Sequence, residues 1–419
     1  MTQYVREFND VQELNSLASK WQELLAQTPG ATFFHSLEWL QIYWKHFGRG
    51  QRLRVLAISN PTGDIRGILP LVVRKSRRRL GGIRVLTYPL DDWASYYGPI
   101  GPQPEQTLAA GLRHVHQTHR DWQVIELPWV DSKISAGATE RAFGNAMVDF
   151  TSESRETSAI VNLSDFPDWD AYWRSRESRW RNNVRRSERK LAGRGKVTYL
   201  RYRPKAGRDT NPRWDLYEAC EAIARASWQA GSTSGTTLVH DSVQTFLRES
   251  HAVAARNGAL DLNLLMVNSQ PVAFNYAYCC DGNVFGLRTG YDSTAASEGA
   301  GTVLQARMIA DSFARGDHLY NLGPGYLDCK RYWLTEARPS LRFSHFPSDV
   351  PVARLMEVKR RFEHWWRAGR MQPTSKQDRK ELLVDMRVDP PPAKSRTSGN
   401  NRAVAFMKIA ATQQAVKEE

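Results

Sequence analysis

The chain has 419 residues, 41% of them hydrophobic and 11% aromatic, and carries a formal net charge of +14. That length exceeds one ordinary core and predicts two domains of globular composition. No window approaches the roughly 18 consecutive apolar residues of a membrane-spanning helix, and MTQYVREFND lacks the apolar core of a secretory leader, so a cytoplasmic protein, at most peripheral to a membrane, is expected.

The charge is unevenly placed. Residues 351–419 hold 15 Lys+Arg against 8 Asp+Glu, and Arg174–Lys196 holds 10 basic residues against 2 acidic ones. Local basic devices therefore fit better than a uniformly nucleic-acid-binding surface, and no helix-turn-helix or zinc signature points to DNA. The cysteines Cys220, Cys279, Cys280 and Cys329 lack metal-ligand spacing, so reduced thiols and no metal are expected.

Along the chain, FFHSLEWLQIYWKHF (33–47) predicts an aromatic helix capped by Ser36, with Trp39, Tyr43 and Phe47 on one face. Strands are predicted at Leu53–Ile58, Ile65–Val73 and Ile83–Tyr88, the first two joined by the turn Asn60–Asp64. A helix over Glu105–Gln117 and a strand over Trp122–Leu127 follow.

The second half repeats this order. A basic helix over residues 174–192 precedes a strand at Val197–Tyr202, and helices are expected at Trp214–Gln229 and Asp241–Arg256. A three-strand meander then covers Asp261–Val267, Pro271–Cys279 and Val284–Tyr291, with turns at Asn268–Gln270 and Asp281–Asn283. A small-residue loop with Gly299 and Gly301, a helix over Thr302–Arg315 and a strand over His318–Leu322 complete the unit. The strand–turn–strand pattern of LRVLAISNPTGDIRGILPLV returns in LDLNLLMVNSQPVAFNYAYC, which predicts an internal duplication. Ala353–Arg370 is a basic amphipathic helix with Leu355, Val358, Phe362 and Trp365 or Trp366 on one face. The polar stretch beyond about residue 373, with Pro390–Pro392, is expected to be largely disordered.

A strand feeding a glycine loop at a helix N-terminus can cradle phosphate, because backbone N–H groups point outward and the helix dipole favours negative charge. Gly299, Ala300, Gly301 and Thr302 are the candidates, although the same residues also make an ordinary turn with Thr302 as cap. In the basic helix, Arg181, Arg185 and Arg189 share an i, i+4 face suited to a phosphorylated acceptor, or simply to solvent. Trp180, Val184 and Ser187 form its docking stripe. The helix at 353–370 suits either an anionic membrane surface or an edge packed on the second domain.

The meander, glycine loop, helix and strand together resemble the cofactor-binding half of the GNAT acyltransferase fold. FFHSLEWL, SRWRNNVRRSERKL, SQPVAFNYAY and GYDSTAASEGAGTVLQARMIADSFARG, followed by Gly325-Tyr326 and Lys330-x-x-Trp333, are similar to the CelD/BcsL group. That group comprises GNAT-like acetyltransferases linked to cellulose or exopolysaccharide synthesis. A more distant similarity is to the Fem-type aminoacyl transferases, which carry tandem GNAT units. The resemblance covers roughly residues 30–345. It implies an α/β protein of two tandem GNAT-like units with mixed central sheets: a degenerate unit at 1–150 and an acyltransferase unit at 151–350. A basic helix at 351–372 and a disordered basic tail at 373–419 follow.

The implied activity is acetyl transfer from acetyl-CoA to an amino or hydroxyl group of a sugar or exopolysaccharide precursor. The alternatives are aminoacyl transfer from tRNA and a catalytically inert accessory role in polysaccharide synthesis. Lys330 stands where Fem-type enzymes place a lysine that neutralises charge during acyl transfer, with Tyr326 and Asp328 as neighbours that could orient it or move a proton. The loop departs from the usual GNAT pattern: Ala296 stands where Gln or Arg is usual, and Glu298 adds a negative charge. For a general base, Glu126, His240, Tyr291 and Asp292 are all open.

Overall fold

In a computed structural model of the chain, residues 3–78, 81–90, 93–207, 211–231 and 236–370 are described. They fall into two compact bodies, Met1–Lys75 with Arg84–His345, and Ser76–Ile83 with the chain from Phe346 onward. The tail predicted beyond residue 373 lies outside the described residues.

The first run of elements is β1 (Tyr4–Phe8), α1 (Ala18–Ala26), α2 (Leu37–Phe47), β2 (Arg52–Ser59), β3 (Ile65–Arg78), β4 (Gly81–Thr87), α3 (Pro104–Gln117), β5 (Val124–Asp131), α4 (Ala136–Asn145) and β6 (Thr151–Asn162). After α5 (Trp169–Ser175) and α6 (Ser178–Ala192) the same order recurs. The second run is β7 (Val197–Tyr202), α7 (Trp214–Arg225), α8 (Asp241–Arg256), β8 (Leu260–Val267), β9 (Gln270–Cys280), β10 (Asn283–Tyr291), α9 (Ala300–Arg315), β11 (Leu319–Pro324), the single turn α10 (Leu327–Lys330) and β12 (Glu336–His345). The long helix α11 (Pro351–Arg370) ends the described chain. Ser36 caps α2 as the sequence predicts, its hydroxyl accepting from the Trp39 N–H. The basic helix predicted over 174–192 is broken at Arg176 and Glu177, where extended backbone separates α5 from α6.

Among the described residues twelve strands form one sheet, in the order β1-β2-β3-β4-β5-β12-β6-β11-β10-β9-β8-β7. The order reads as two copies of one unit turned about the centre, with the last strand of each copy exchanged. β12, at the end of the second run, pairs antiparallel with β5 from Ser340↔Asp131 to His345↔Ile125. β6, at the end of the first run, pairs antiparallel with β11 from Leu319↔Asn162. The two exchanged strands pair with each other from Glu336↔Ile160 to Ser344↔Thr151. In each half one parallel pair lies beside the exchange, β4 with β5 and β10 with β11.

The helices obey the same symmetry. α2 and α8, equivalent in the two runs, pack through Phe47 and Trp39 on Phe246, with ring centroids 4.8 and 5.3 Å apart. A second apolar core gathers Val184 and Leu191 of α6, Val303, Leu304 and Ile309 of α9, and Tyr320 of β11. In the smaller body Leu355 and Val358 of α11 are exposed, so part of the apolar face read in the sequence is turned to solvent. Among the described residues no helix is long and apolar enough to cross a membrane.

The exchange makes a direct prediction. A fragment of residues 178–345 keeps β7–β12 but lacks β6, leaving an open edge on β11 and another on β12, and open apolar edges aggregate. That fragment is expected to be insoluble or unfolded by circular dichroism, and to co-purify as a folded complex when residues 1–177 are expressed with it.

Candidate active site

β10 and β11 run side by side only from Asn283↔Leu319 to Phe285↔Asn321, although β10 continues to Tyr291 and β11 to Pro324. Beyond Phe285 the strands part into a fork. A register shift between Gly286 and Arg288 kinks β10 at this point. Two glycines make the close approach at its base. A side chain at Gly286 would sit 3.0 Å from the Asn321 carbonyl oxygen, and one at Gly323 would sit 3.2 Å from the Gly286 carbonyl oxygen. Gly323 also has a φ of +82°, which a side chain would strain. Buried Asn321 fixes this turn by accepting from the Gly323 N–H at 2.8 Å.

Lys330 closes the mouth of the fork. Gly325 and Tyr326, both in the left-handed region, turn the chain into α10 and send it back over β11. The Lys330 Nζ donates to the carbonyls of Gly323 at 2.9 Å and Pro324 at 3.1 Å. An ammonium carries three N–H donors, so two are spent on orientation and one remains for a ligand. Burial, with the Arg288 guanidinium as a further cause, lowers the lysine to about 8. Lys330 is therefore still mainly cationic at neutral pH. It faces a low-dielectric setting in which its charge acts strongly.

Tyr326 and Asp328 stand on the exposed side of the same turn. Tyr326 is 58% exposed, and neither residue is bonded to Lys330. Their position beside the lysine comes from chain proximity alone.

The glycine loop lies at the other end of α9. Asp292 accepts from the Thr294 N–H at 2.7 Å, a short 3-10 turn follows, and Gly299, with φ +79°, leads into α9. Ala300 is the first helical residue and Thr302 lies in the first turn, but no side chain caps the helix. What the glycines admit is protein. A side chain at Gly299 would meet the Ser187 Oγ at 2.5 Å, and one at Gly301 would meet the Tyr291 ring at 3.0 Å. Helix α6 and the turn after it lie over the loop, with Lys190 Nζ 3.5 Å from the Ser297 carbonyl oxygen and Arg194, in that turn, donating to the Thr294 carbonyl at 3.2 Å. Arg194 also stands 3.6 Å from Glu298.

α6 spans the site. At its start Trp180 stacks on Tyr332 at 4.5 Å and meets Trp333 edge-on at 5.5 Å, beside Lys330 in sequence; seven residues on, Ser187 touches Gly299. The Trp180–Val184–Ser187 stripe is thus the docking face, as its spacing suggests. Arg181 flanks it half-buried, its Nε enclosed without a hydrogen-bond partner, while Arg185 and Arg189 are exposed.

Of the candidate bases, Tyr291 lies against Gly301, and the other three fall on two caps and a strand of the first half. His240 caps α8 and Asp292 caps the 3-10 turn. Glu126 pairs with Thr87 and Ser344 in the first half of the sheet. Sequence reasoning missed Gly286, Gly323 and Arg288; an isolated glycine inside a strand was the available signal, since it marks a bulge or a close approach.

The equivalent fork in the first half is bordered by aromatic rings, and a cavity lined by His35, Tyr97, Pro99 and Asp131 lies beside it. β4 and β5 pair only from Val85↔Val124 to Thr87↔Glu126, and beyond them the Tyr97 N–H donates to the Trp129 carbonyl at 3.0 Å. Tyr88 and Tyr97 are buried there, their ring centroids 5.1 Å apart, and Tyr97 stacks on His35 at 4.8 Å; buried Trp93 instead lies under the Arg288 guanidinium of β10 at 4.1 Å. Gly101, with φ +125°, donates its N–H to Thr28 Oγ1.

Residues 178–331 match the acetyltransferase (GNAT) domain family, a span that opens with α6 and closes one residue after Lys330. The solved structure of FemX is similar over 85% of this chain and 100% of its own, with a TM-score of 0.54 and 12% identity. The fold is a tandem of GNAT-like units. A tandem GNAT protein from the clavulanic acid pathway matches 83% of this chain and 100% of its own, at a TM-score of 0.44 and 9% identity. The C-terminal domain of an Agrobacterium fabrum protein named as a lysylphosphatidylglycerol synthetase matches 82% and 96%, at 0.48 and 8%. No curated protein matches the chain. Among the described residues no group of three or more His, Cys, Asp or Glu could hold a metal ion.

The contact between α6 and the glycine loop is open to test. Gly299→Ala forces a side chain into the left-handed region, at about 1–2 kcal/mol, and against Ser187. The variant should melt several degrees lower, and the added change Ser187→Gly should restore part of the loss. Purely additive losses in the double variant would contradict the contact.

Proposed function

We propose that the second half of the sheet catalyses acyl transfer at the β10/β11 fork. The substrates are acetyl-CoA and an amino or hydroxyl group of a sugar or exopolysaccharide precursor, as in the CelD/BcsL group. The observation that carries this is the Lys330 ammonium, held by two carbonyls at the mouth of a strand pair that parts beyond Phe285. Acetyl-CoA supplies the acyl group as an activated thioester. The fork fits the acyl end of such a donor, since its free strand edges can bind an extended amide chain.

As the acceptor attacks the thioester carbon, negative charge develops on the acyl oxygen; its collapse breaks the C–S bond and releases CoA, whose thiolate takes up the proton the acceptor loses. The remaining N–H of Lys330 stabilises the charge on the acyl oxygen, with Arg288 adding positive potential nearby. Tyr326 and Asp328 border the entrance from solvent, where they contact the acceptor. Exposed Arg185 and Arg189, with Arg181 beside them, offer a basic face to a phosphorylated acceptor. The first half, its fork bordered by aromatic rings, serves as a degenerate scaffold that holds the exchanged strand.

The diphosphate end fits less well. Gly299, Ala300, Gly301 and Thr302 are the residues that would hold it, with Lys190 and Arg194 close by. Ser187 and Tyr291 nevertheless occupy the space beside the two glycines, and Glu298 brings a like charge. That observation favours a second reading, aminoacyl transfer from tRNA as in Fem-type enzymes, in which no diphosphate need sit on the loop. Leu355 and Val358, exposed on basic α11, suit a peripheral contact with an anionic membrane.

Two measurements test the proposal. Purified protein treated with ribonuclease should transfer label from acetyl-CoA to amino-sugar acceptors, and Lys330→Met should lower kcat by about 10²–10³. Activity that requires charged tRNA would favour the second reading, and activity unchanged in Lys330→Met would refute the role given to the lysine. The pH profile carries a sign. The protonated lysine is the working form, so kcat/KM should fall as pH rises through about 8. In Lys330→Arg any residual activity should lack that falling limb, because arginine stays charged.

A further inference from the structure

His116, in the last turn of α3, and His345, at the end of exchanged strand β12, bring their Nε2 atoms within 3.4 Å of each other. The opposite nitrogens settle the tautomers. His116 Nδ1 is 2.8 Å from the Leu112 carbonyl oxygen, and His345 Nδ1 is 2.7 Å from the Asp149 carbonyl oxygen. A carbonyl oxygen only accepts, so each Nδ1 carries a hydrogen, and in the neutral rings both Nε2 atoms present lone pairs to each other. Two facing lone pairs repel unless a cation lies between them. A shared proton is one candidate, but 3.4 Å exceeds the roughly 2.7–3.2 Å of an ordinary N–H hydrogen bond. Burial and the nearby Arg120 charge also push both imidazoles below their usual range, which favours the neutral rings.

A first-row metal ion fits the spacing. Imidazole nitrogens bind zinc at about 2.0–2.1 Å, and two such bonds at a tetrahedral angle hold the nitrogens about 3.3–3.4 Å apart. An imidazole whose other nitrogen donates to a backbone carbonyl is also the usual orientation of a metal-binding histidine. The Trp122 indole packs edge-on against both rings, at 5.2 and 6.2 Å, and fixes their planes. Both rings are only partly buried, so solvent reaches the pair.

We propose that His116 and His345 form a two-imidazole site for a tetrahedrally coordinated divalent ion, zinc, with water completing the coordination. No third protein ligand joins them among the described residues, so the site is open and exchangeable. An ion there ties the end of β12 to α3 and locks one exchanged strand onto the opposite half.

The test uses the full chain without an affinity tag, stripped by a chelator and titrated with zinc, and separately with copper(II) as a spectroscopic probe of the same two nitrogens. One equivalent should bind, with electron paramagnetic resonance showing coupling to two imidazole nitrogens, and zinc should raise the melting temperature. His116→Ala and His345→Ala should each weaken binding at least tenfold and abolish the thermal shift. Should either variant misfold, His116→Gln and His345→Gln serve instead, with nitrogen-15 spectra of the wild-type imidazoles as an independent readout. Equal binding in the variants would overturn the proposal, as would imidazole resonances that show a shared proton and do not respond to zinc.

Discussion

The pairing of β6 with β12 governs the rest of the molecule. Each strand closes the half of the sheet to which it does not belong in sequence, so neither half has a finished edge alone. Removing β6 would expose the row of N–H and C=O groups along β11, and removing β12 would do the same to β5. Unpaired buried backbone groups are costly, and exposed edges invite aggregation. The exchange therefore makes the two runs one cooperative unit, although they repeat the same order of elements.

This constraint reaches the candidate site. β11 is clamped on one side by β6 from the first half, while its other side is free beyond Asn321. The fork stays open because β11 is held from outside, while β10 is held by β9 through Tyr291↔Ala273. Lys330 then closes over that opening, oriented by the carbonyls of the same strand. The first half contributes through β6 and through Trp93, whose ring lies 4.1 Å from the Arg288 guanidinium. Its own fork is bordered by the buried rings of Tyr88 and Tyr97.

Much of this was legible in the sequence, and the exceptions have physical causes. The meander, the helix after it and the strand after that all announce themselves by alternation and turn residues, and Val197–Tyr202 and Asp241–Arg256 fall where the pattern puts them. The exchanged strands do not. β6 begins TSESRETS, polar on both faces, and β12 carries Pro339 in its interior, a residue that argues against a central strand. A register shift at Ser340 and Leu341, next to that proline, accommodates the missing N–H. Pairings between residues some 180 positions apart leave no local periodicity. The glycine loop was legible as a loop, but its partner Ser187 lies over a hundred residues earlier, so its packing on α6 was hidden. Lys330 was found by resemblance, whereas the glycines that open the fork beneath it appear only when the two strands are seen together.

The central claim is that an acyl donor enters the fork of the second half and leaves that of the first half untouched. Hydrogen–deuterium exchange with and without acetyl-CoA tests it most directly. The account predicts slowed exchange at residues 286–291 and 322–331, with no change at 124–131. Protection confined to the first half, or none anywhere at saturating acetyl-CoA, would contradict it.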